Sequence, residues 1–333
     1  MASSTNTAAS FWDENVWQTI PQRYWSSNPI LDEYINQQII EPRSANSHIS
    51  WWMAKYHPNG VSDCLLSLAC GGGHAERIAL REGSARRTVG YDVSPKSLEH
   101  ARLAAEQEGF ADCVHYELLD LNNGSLPREQ FDAVISFGCL HHIENLEGLY
   151  AEIAASLRPG GVCYINEYVG PNRFQYSDAL LHEVNKVIRT LPAAAIRVPE
   201  LRRISSEAII ATDPSEAVRS VEVDALLHDS FDVIDGREYG GGLLYALWAQ
   251  VIDPEYFMQL HDPRIVKLLG QLCQLDAELT ASGTIENLFV SHVLCPRGQQ
   301  GDRRSTYDPK EAMKRHADFV EAKIESLENS RAA

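Results

Sequence analysis

The sequence has few basic residues and no long hydrophobic run. Its 333 residues include 29 Lys and Arg against 46 Asp and Glu, which gives a formal net charge of −17 at pH 7. Because such a surface repels phosphate backbones and anionic lipids at long range, we expect neither nucleic acid nor a membrane as a partner. The longest apolar stretch, residues 242–252, contains Gln250 and is shorter than the ~20 residues that a membrane-spanning helix needs.

The sequence also lacks a secretory signal and paired cysteines. Residues 1–10 contain neither a basic segment nor a long apolar run, so we expect a cytoplasmic location. The seven cysteines form no C-x-x-C pair and mostly lie in apolar, strand-like segments. This pattern predicts reduced cysteines in the core, without disulfides or a zinc site, and we expect no metal ion.

Short apolar segments alternate with helical ones in the first half of the chain. Strands are predicted at residues 64–69, 88–92, 113–117, 131–137 and 162–168, with helices between them. This alternation is typical of βαβ units and a parallel sheet. Two further strand-like segments follow at 231–238 and 288–295, each preceded by a helical insertion.

The pattern divides the chain into five regions. These are an N-terminal helical lid (1–60), an alternating core (61–170), a helical cap insertion (171–230), two strands with inserted helices (231–297) and a polar C-terminal tail (298–333). The first region is rich in aromatic residues such as Trp12 and Tyr24, which either cover a pocket or pad the edge of the core. The mixed charge of residues 310–328 predicts at best a weak helix in a solvated or partly disordered tail.

A loop of small residues follows the first predicted strand and includes Ala69, Cys70, Gly71 and Gly73. Small residues let a backbone pass close to a ligand, and the N-terminus of the next helix offers unpaired N–H groups. A nicotinamide fingerprint would need a glycine where Glu76 stands. The loop therefore indicates a ligand site that is not a dinucleotide site.

Carboxylates end the next two predicted strands. Asp92 follows Gly73 by 19 residues, at a place where a carboxylate can accept hydrogen bonds from both hydroxyls of a ribose. Asp120 follows the third strand, where aspartate is also common in turns.

Five motifs in this order resemble the class I S-adenosylmethionine-dependent methyltransferase family. They are the loop at 68–73, Gly90-Tyr91-Asp92, Leu119-Asp120-Leu121, residues 131–136 with the following Leu140-His141-His142-Ile143, and Leu157-Arg158-Pro159-Gly160-Gly161. The resemblance covers residues 62–168 firmly and the rest loosely. It implies a doubly wound, Rossmann-like α/β fold with helical cap insertions and seven mostly parallel strands, of which the last is antiparallel.

The resemblance also implies S-adenosylmethionine as the cofactor and assigns its contacts. Asp92 would bind the ribose with Val93 beside it, Asp120 and Leu121 the adenine, and the methionine part would meet Ala69, Cys70, Gly71, Gly73, Ser136, Phe137 and Gly138. Two positions depart from the family, since Ser67 stands where an acid is usual and Ala69 where glycine is usual. Ser67 cannot supply the negative charge that orients the methionine ammonium, whereas Ala69 matters only if its backbone needs a positive φ.

Candidates for the chemistry lie at the ends of the fourth and fifth predicted strands. His141 and Glu167 are the candidate general bases, and His142 is interpreted as a packing residue. Tyr168, Arg173 and Gln175 are candidate substrate contacts, although their loop can equally be the start of the next helix. The segment Asp213-Pro214-Ser215-Glu216 is typical of an N-cap and first helical turn, which predicts a structural role for Asp213.

These features predict an enzyme that methylates a small molecule. We expect O-methylation of a hydroxylated metabolite or a sugar unit. Alternatives are N- or C-methylation, a non-catalytic S-adenosylmethionine-binding partner subunit, and a lyase or cyclase on the same fold, because a fold does not determine a reaction.

Overall fold

A seven-stranded sheet organises the protein. The computed structural model describes residues 4–15, 24–40, 47–299 and 307–332. The strands are β1 (Leu65–Leu68), β2 (Thr88–Asp92), β3 (Val114–Leu118), β4 (Phe131–Phe137), β5 (Leu157–Tyr168), β6 (Phe231–Glu238) and β7 (Phe289–Pro296). Their order is β3-β2-β1-β4-β5-β7-β6; β1 to β5 are parallel, and β7 runs antiparallel to both neighbours. The doubly wound sheet with one antiparallel strand is thereby confirmed.

Helices cover both faces of this sheet. In the described ranges they are α1 (Ser4–Asn15), α2 (Pro29–Ile39), α3 (His48–Tyr56), α4 (His74–Arg81), α5 (Pro95–Gln107), α6 (Leu146–Ser156), α7 (Asp178–Ile188), α8 (Ser206–Thr212), α9 (Val223–Ser230), α10 (Gly242–Gln250), α11 (Pro254–Phe257), α12 (Pro263–Ala281) and α13 (Pro309–Ala332). None of them combines the length and the apolarity needed to cross a bilayer.

The central strands are buried on both sides, which explains their nearly continuous apolar sequence. Every residue of β1 and β2 is buried. Leu65 and Ala133 belong to one apolar core, and their neighbours Leu66 and Val134 belong to a second. Successive side chains of a strand point to opposite faces, so the two cores are the two faces of the sheet.

Helix α1 docks at the start of α5. The Asp13 carboxylate accepts hydrogen bonds from Ser94 Oγ at 2.6 Å and from the Lys96 amide at 3.2 Å. This contact places one end of the N-terminal region over the carboxyl edge of the sheet. Residues 16–23 and 41–46 of the predicted lid lie outside the described residues.

The C-terminal tail differs from the expectation. Helix α13 packs on α2 and α12, with Ala312, His316 and Val320 buried at intervals of four residues. His316 Nε2 donates to the Ile30 carbonyl at 3.1 Å. The prediction of a solvated tail is therefore wrong for 309–332, because this narrow stripe suffices to attach a helix that is otherwise polar. Residues 300–306 of the predicted tail lie outside the described residues.

Candidate active site

A cavity of about 460 Å³ lies at the carboxyl ends of β1 to β4. Open α/β sheets bind their ligands at this edge. Eight of the residues predicted to contact a cofactor line it, namely Ala69, Gly71, Asp92, Val93, Asp120, Leu121, Phe137 and Gly138. Cys70, Gly73 and Ser136 are not among its lining residues. Ala8 and Trp12 of α1 with Tyr24 form one wall, and Pro214 and Ser215 of the cap insertion form another.

The glycines of the loop after β1 have different tasks. Gly71 has φ +52°, and a Cβ built on it meets no atom within 4 Å, so its surroundings are open space beside the cavity. Gly73 has φ +70°, and a Cβ there would lie 2.1 Å from the Tyr116 hydroxyl. Gly71 keeps the cavity open, whereas Gly73 lets the loop pack against β3.

Ala69 adopts a left-handed backbone with φ +47°. A residue with a Cβ loses roughly 1–2 kcal/mol in this conformation. From sequence, the departure from glycine matters only at a positive φ. That condition is met, so the alanine introduces backbone strain at the cavity wall.

Asp92 ties the loop to the end of β2. Its Oδ2 accepts from the Gly71 amide and its Oδ1 from the Ser94 amide, both at 2.8 Å. Burial raises the pKa of Asp92, and these two amides oppose that effect. Each carboxylate oxygen has a second lone pair, so two further donors in the cavity can bind. Ser97 also lines the cavity, and its buried Oγ has no hydrogen-bond partner in the described ranges.

A second acid lies buried close to Ser67. Glu76 in the first turn of α4 is fully buried, and within the part of the chain that the structure describes no donor lies within hydrogen-bonding geometry of either carboxylate oxygen. Burial raises the pKa of Glu76 to about 7 against the opposing influence of the Ser67 hydroxyl. The sequence offered no signal for this burial, because glutamate in a first helical turn ordinarily faces solvent.

Each carboxylate oxygen of Glu167 accepts hydrogen bonds from two neighbouring groups. Its Oε2 accepts from the amides of Cys139 at 2.7 Å and Leu140 at 2.6 Å. Its Oε1 accepts from the Tyr168 amide at 2.7 Å and from His141 Nδ1. The carboxylate is 1% exposed, so it anchors the turn after β4 to the end of β5.

His141 is held between two carboxylates. Its Nδ1 binds Glu167, and its Nε2 lies 3.4 Å from Glu216 Oε1. Burial lowers the pKa of His141, but the two carboxylates outweigh it and raise the pKa to about 10. Both ring nitrogens then carry protons at neutral pH. Neither His141 nor Glu167 lines the cavity, and both ring nitrogens of His141 face carboxylates, so the geometry argues against the sequence-based choice of these two residues as bases.

His142, interpreted from sequence as a packing residue, lines the cavity. Its Nδ1 lies 3.1 Å from Ser215 Oγ and 3.7 Å from Asp213 Oδ2, and its ring meets Trp12 edge-on. Burial, together with the charge of His141, lowers the pKa of His142. A neutral imidazole thus faces the cavity at pH 7.

The three predicted substrate contacts are not among the residues that line the cavity. The Tyr168 hydroxyl donates to the Pro171 carbonyl at 3.2 Å, and the Gln175 amide donates to the carbonyls of Arg173 and Ile204. Arg173 donates to the carbonyls of Pro214 at 2.8 Å and Glu216 at 2.7 Å. Arg173 therefore braces the cap loop 213–217 that carries Ser215, and its contribution to the cavity is indirect.

The cap loop itself was misjudged from sequence. Helix α8 ends at Thr212 and α9 begins at Val223, so no helix starts at Asp213. The pattern was mistaken because Asp-Pro-Ser also makes tight turns: Asp213 Oδ1 accepts from the Ser215 amide at 2.8 Å. Gly72 of the predicted loop also lines the cavity. Other lining residues to which the sequence assigned no contact are Ser97, Leu119, Asn122, Cys139, Ile143 and Glu144.

One group of side chains among the described residues has the spacing of a metal site. Ligand atoms of His141, His142 and Glu216 lie within 4.8 Å of one another. His141 Nδ1 is bound to Glu167, so His141 could offer only Nε2 to an ion. The chemistry proposed below assigns no metal ion to this group.

Comparison with known proteins identifies the family. Residues 66–165 match a family model described as a methyltransferase domain. The chain is similar to demethylmenaquinone methyltransferase from Tropheryma whipplei, with 31% identity over 179 residues that span 50% of this chain and 70% of that protein. This chain belongs to the class I S-adenosylmethionine-dependent methyltransferase family. The methyltransferase activity and the S-adenosylmethionine cofactor implied by the five motifs are thereby confirmed.

Other relatives of this methyltransferase match over shorter or more distant stretches. A sterol 24-C-methyltransferase from Yarrowia lipolytica is 34% identical over 115 residues, which are 34% of this chain and 30% of that protein. Phosphoethanolamine N-methyltransferase 2 from Haemonchus contortus is 17% identical with a TM-score of 0.47 over 86% of this chain and 59% of its own. A geranyl diphosphate methyltransferase is 13% identical with a TM-score of 0.46 over 74% of this chain and 83% of its own. The two solved structures, with identities below 25% and TM-scores below 0.5, carry no argument about the acceptor.

Proposed function

We propose that this methyltransferase transfers a methyl group from S-adenosylmethionine to a hydroxyl oxygen of a small molecule. The observation that carries the proposal is His142, a neutral imidazole on the wall of a cavity that α1 and the cap loop enclose on two sides. A hydroxyl acceptor must lose a proton during transfer, and a neutral histidine is suited to take it.

The glycine-loop side of the cavity fits the cofactor. Asp92 has lone pairs free for two ribose hydroxyls, and the space beside Gly71 would be filled by any side chain there. Asp120 and Leu121 would contact the adenine, and Phe137 and Gly138 the methionine part. The N-terminus of α4 adds a favourable field for the cofactor's carboxylate.

The remaining walls suit a small acceptor. The cavity of about 460 Å³ has to hold both the cofactor and the acceptor, which favours a small acceptor. Trp12 and Tyr24 offer aromatic faces on which a ring can pack, while His142 and Ser215 offer polar atoms. A hydroxylated metabolite or a sugar unit presents both kinds of surface.

The reaction requires alignment and one proton transfer. When bound, S-adenosylmethionine supplies a methyl group activated by a positively charged sulfur. The cavity residues hold the acceptor oxygen in line with that carbon and exclude water. His142 would take the hydroxyl proton as the acceptor oxygen receives the methyl group, and S-adenosylhomocysteine would be the second product. A positioned base contributes typically 10²–10⁴-fold to such a step.

C-methylation is the second candidate, because one relative is named as a sterol 24-C-methyltransferase. An experiment with S-adenosylmethionine carrying ¹³C in its methyl group separates the two. Acceptors of different classes are screened by release of S-adenosylhomocysteine, and the product is examined by NMR. We expect the label in a methyl group attached to oxygen. A label attached to carbon or nitrogen would overturn the proposal, and so would the absence of turnover across hydroxylated acceptors.

A further inference from the structure

We propose that Asp213, acting through Ser215, fixes the tautomer of His142 so that Nε2 is the basic atom offered to the acceptor. The tautomer of His142 is inferred from the hydrogen bonds alone. Only the statement that Nε2 serves the acceptor rests on the proposed function. Asp213 is a positioning residue in this scheme, since Ser215 and His142 lie on the cavity wall and Asp213 lies behind them.

The three side chains form a chain of hydrogen bonds. Ser215 Oγ lies 2.7 Å from Asp213 Oδ1 and 3.1 Å from His142 Nδ1. A carboxylate can only accept, so the single hydroxyl proton of Ser215 is donated to Asp213. The shorter of the two distances agrees, because charge-assisted hydrogen bonds are the stronger ones.

The direction of that bond determines where His142 carries its proton. With its own proton committed to Asp213, Ser215 Oγ can only accept from His142 Nδ1. Nδ1 is therefore the protonated nitrogen, and in the neutral ring Nε2 keeps its lone pair. A proton from the acceptor then goes to Nε2.

Asp213 also has a spare oxygen beside the ring. Its Oδ2 is buried, has no hydrogen-bond partner among the described residues, and lies 3.7 Å from His142 Nδ1. When His142 takes up a proton, this carboxylate is close enough to offset the new positive charge. Asp213 Oδ2, which accepts no hydrogen bond before the reaction, would thus stabilise the protonated His142 ring during it.

The surroundings hold this chain in place. The cap loop is fixed by Arg173, which binds the carbonyls of Pro214 and Glu216, and by the Val218 amide, which donates to the His141 carbonyl at 2.9 Å. The charged groups that act on the His142 ring are His141 from its own turn, Glu167 from β5, and Asp213 and Glu216 from the cap loop. Of these, Asp213 alone is linked to Nδ1 through a hydroxyl.

The tautomer can be observed without any acceptor. In the ¹⁵N-labelled full chain, two-bond proton–nitrogen correlations distinguish a ring protonated at Nδ1 from one protonated at Nε2, and the His142→Gln variant assigns the signals. We expect His142 to be protonated at Nδ1 in the wild type and to shift toward the Nε2-protonated form in Asp213→Asn and Ser215→Ala. Asp112→Asn, an exposed aspartate before β3, serves as the matched control and leaves the pattern unchanged.

Kinetics supply the second readout. Asp213→Asn should lower kcat at least about tenfold, less than His142→Gln does, with the Kd for S-adenosylmethionine unchanged. Loss of the carboxylate lowers the pKa of His142, so the acidic limb of the kcat–pH profile should move to lower pH, which a merely structural defect would not cause.

The two proposals fail separately. A wild-type His142 ring protonated at Nε2 would overturn the Asp213 inference whatever the activity. An Nδ1-protonated ring that Asp213→Asn does not alter would overturn it as well. An Nδ1-protonated ring that does respond to Asp213→Asn, together with full turnover in His142→Gln, would support the relay and refute the proposed role of the base.

Discussion

The two sides of the cavity are built differently. On the glycine-loop side, short segments at the ends of adjacent parallel strands meet directly, and Asp92 binds an amide only 21 positions earlier in the chain. On the acceptor side, His142 meets Ser215 across 73 positions, and the meeting depends on a cap loop braced by Arg173. In the proposed reaction, cofactor binding would depend on the sheet, whereas proton removal would depend on a loop outside it. Substitutions on the two sides should separate binding from transfer.

The largest effect is expected at Gly71. Gly71→Val should abolish binding of S-adenosylmethionine, because the new side chain occupies the space that the cofactor needs and the φ of +52° strains it. Calorimetric titration measures the loss. Gly83 has φ +71° and equally open surroundings but does not line the cavity, so Gly83→Val carries similar strain and should still bind. An equal loss of S-adenosylmethionine binding in both variants would show that backbone strain, and not the filled space, causes the effect.

A pH-dependent effect is expected beneath the same loop. The folded-state pKa of Glu76, about 7, lies above its ordinary value of 4.5, so the folded protein binds the extra proton between these values. The stability that this proton contributes is complete below pH 4.5 and is lost as pH rises to about 7, up to about 3 kcal/mol. Glu76→Gln does not titrate, so its stability should improve relative to the wild type as pH rises from 5 to 7.

Urea unfolding of both proteins at several pH values gives this difference. The comparison with Glu76→Gln is needed because His48 and His316, whose pKa values burial lowers to about 4, stabilise the fold in the opposite direction over the same range. A difference that does not vary with pH would show that Glu76 is ionised throughout.

A smaller effect, confined to transfer, is expected at Arg173. Arg173→Ala removes the bonds to the Pro214 and Glu216 carbonyls and loosens the loop that carries Ser215. We expect kcat to fall about tenfold with the Kd for the cofactor unchanged, because the variant loses one or two hydrogen bonds that hold the loop. Arg202→Ala, at an exposed site, is the control. A parallel loss of cofactor affinity would contradict the separation of the two sides.

The smallest effect is expected at Ala69. Ala69→Gly relieves the backbone strain at φ +47° but adds disorder to the unfolded chain, so the net gain should be about 0.5–1 kcal/mol. Thermal or urea unfolding detects it. Ala75→Gly within α4 should have the opposite sign, because glycine weakens a helix. Destabilisation by Ala69→Gly would mean that the alanine methyl contributes packing that outweighs the strain.

The contrast between the sides also explains how much the sequence could predict. The loop of small residues, the acid at the end of β2 and the order of the strands are local signals, and they predicted most of the glycine-loop side. The acceptor side depends on which of two adjacent histidines faces the cavity. Those histidines occupy a three-residue helical turn, Leu140–His142, which is too short to show a periodic pattern.

Two other features were beyond prediction for physical reasons. The proximity of Asp213 to His142 follows from how the cap insertion folds back, and no local pattern encodes a contact over that distance. The burial of Glu76 reverses the usual preference of a charged residue for solvent. The first lies at the candidate site, where local rules are most often broken, and the second lies close to Ser67 at the end of β1.

Single-turnover methyl transfer in His141→Gln and His142→Gln tests the central claim most directly. With cofactor affinity measured in parallel, we expect His142→Gln to slow transfer by about 10²-fold or more and to leave the Kd for S-adenosylmethionine unchanged. His141→Gln should slow transfer less, because His141 acts only by holding Glu167 and Glu216 together. Transfer at the wild-type rate in His142→Gln, with a large loss in His141→Gln, would contradict the account.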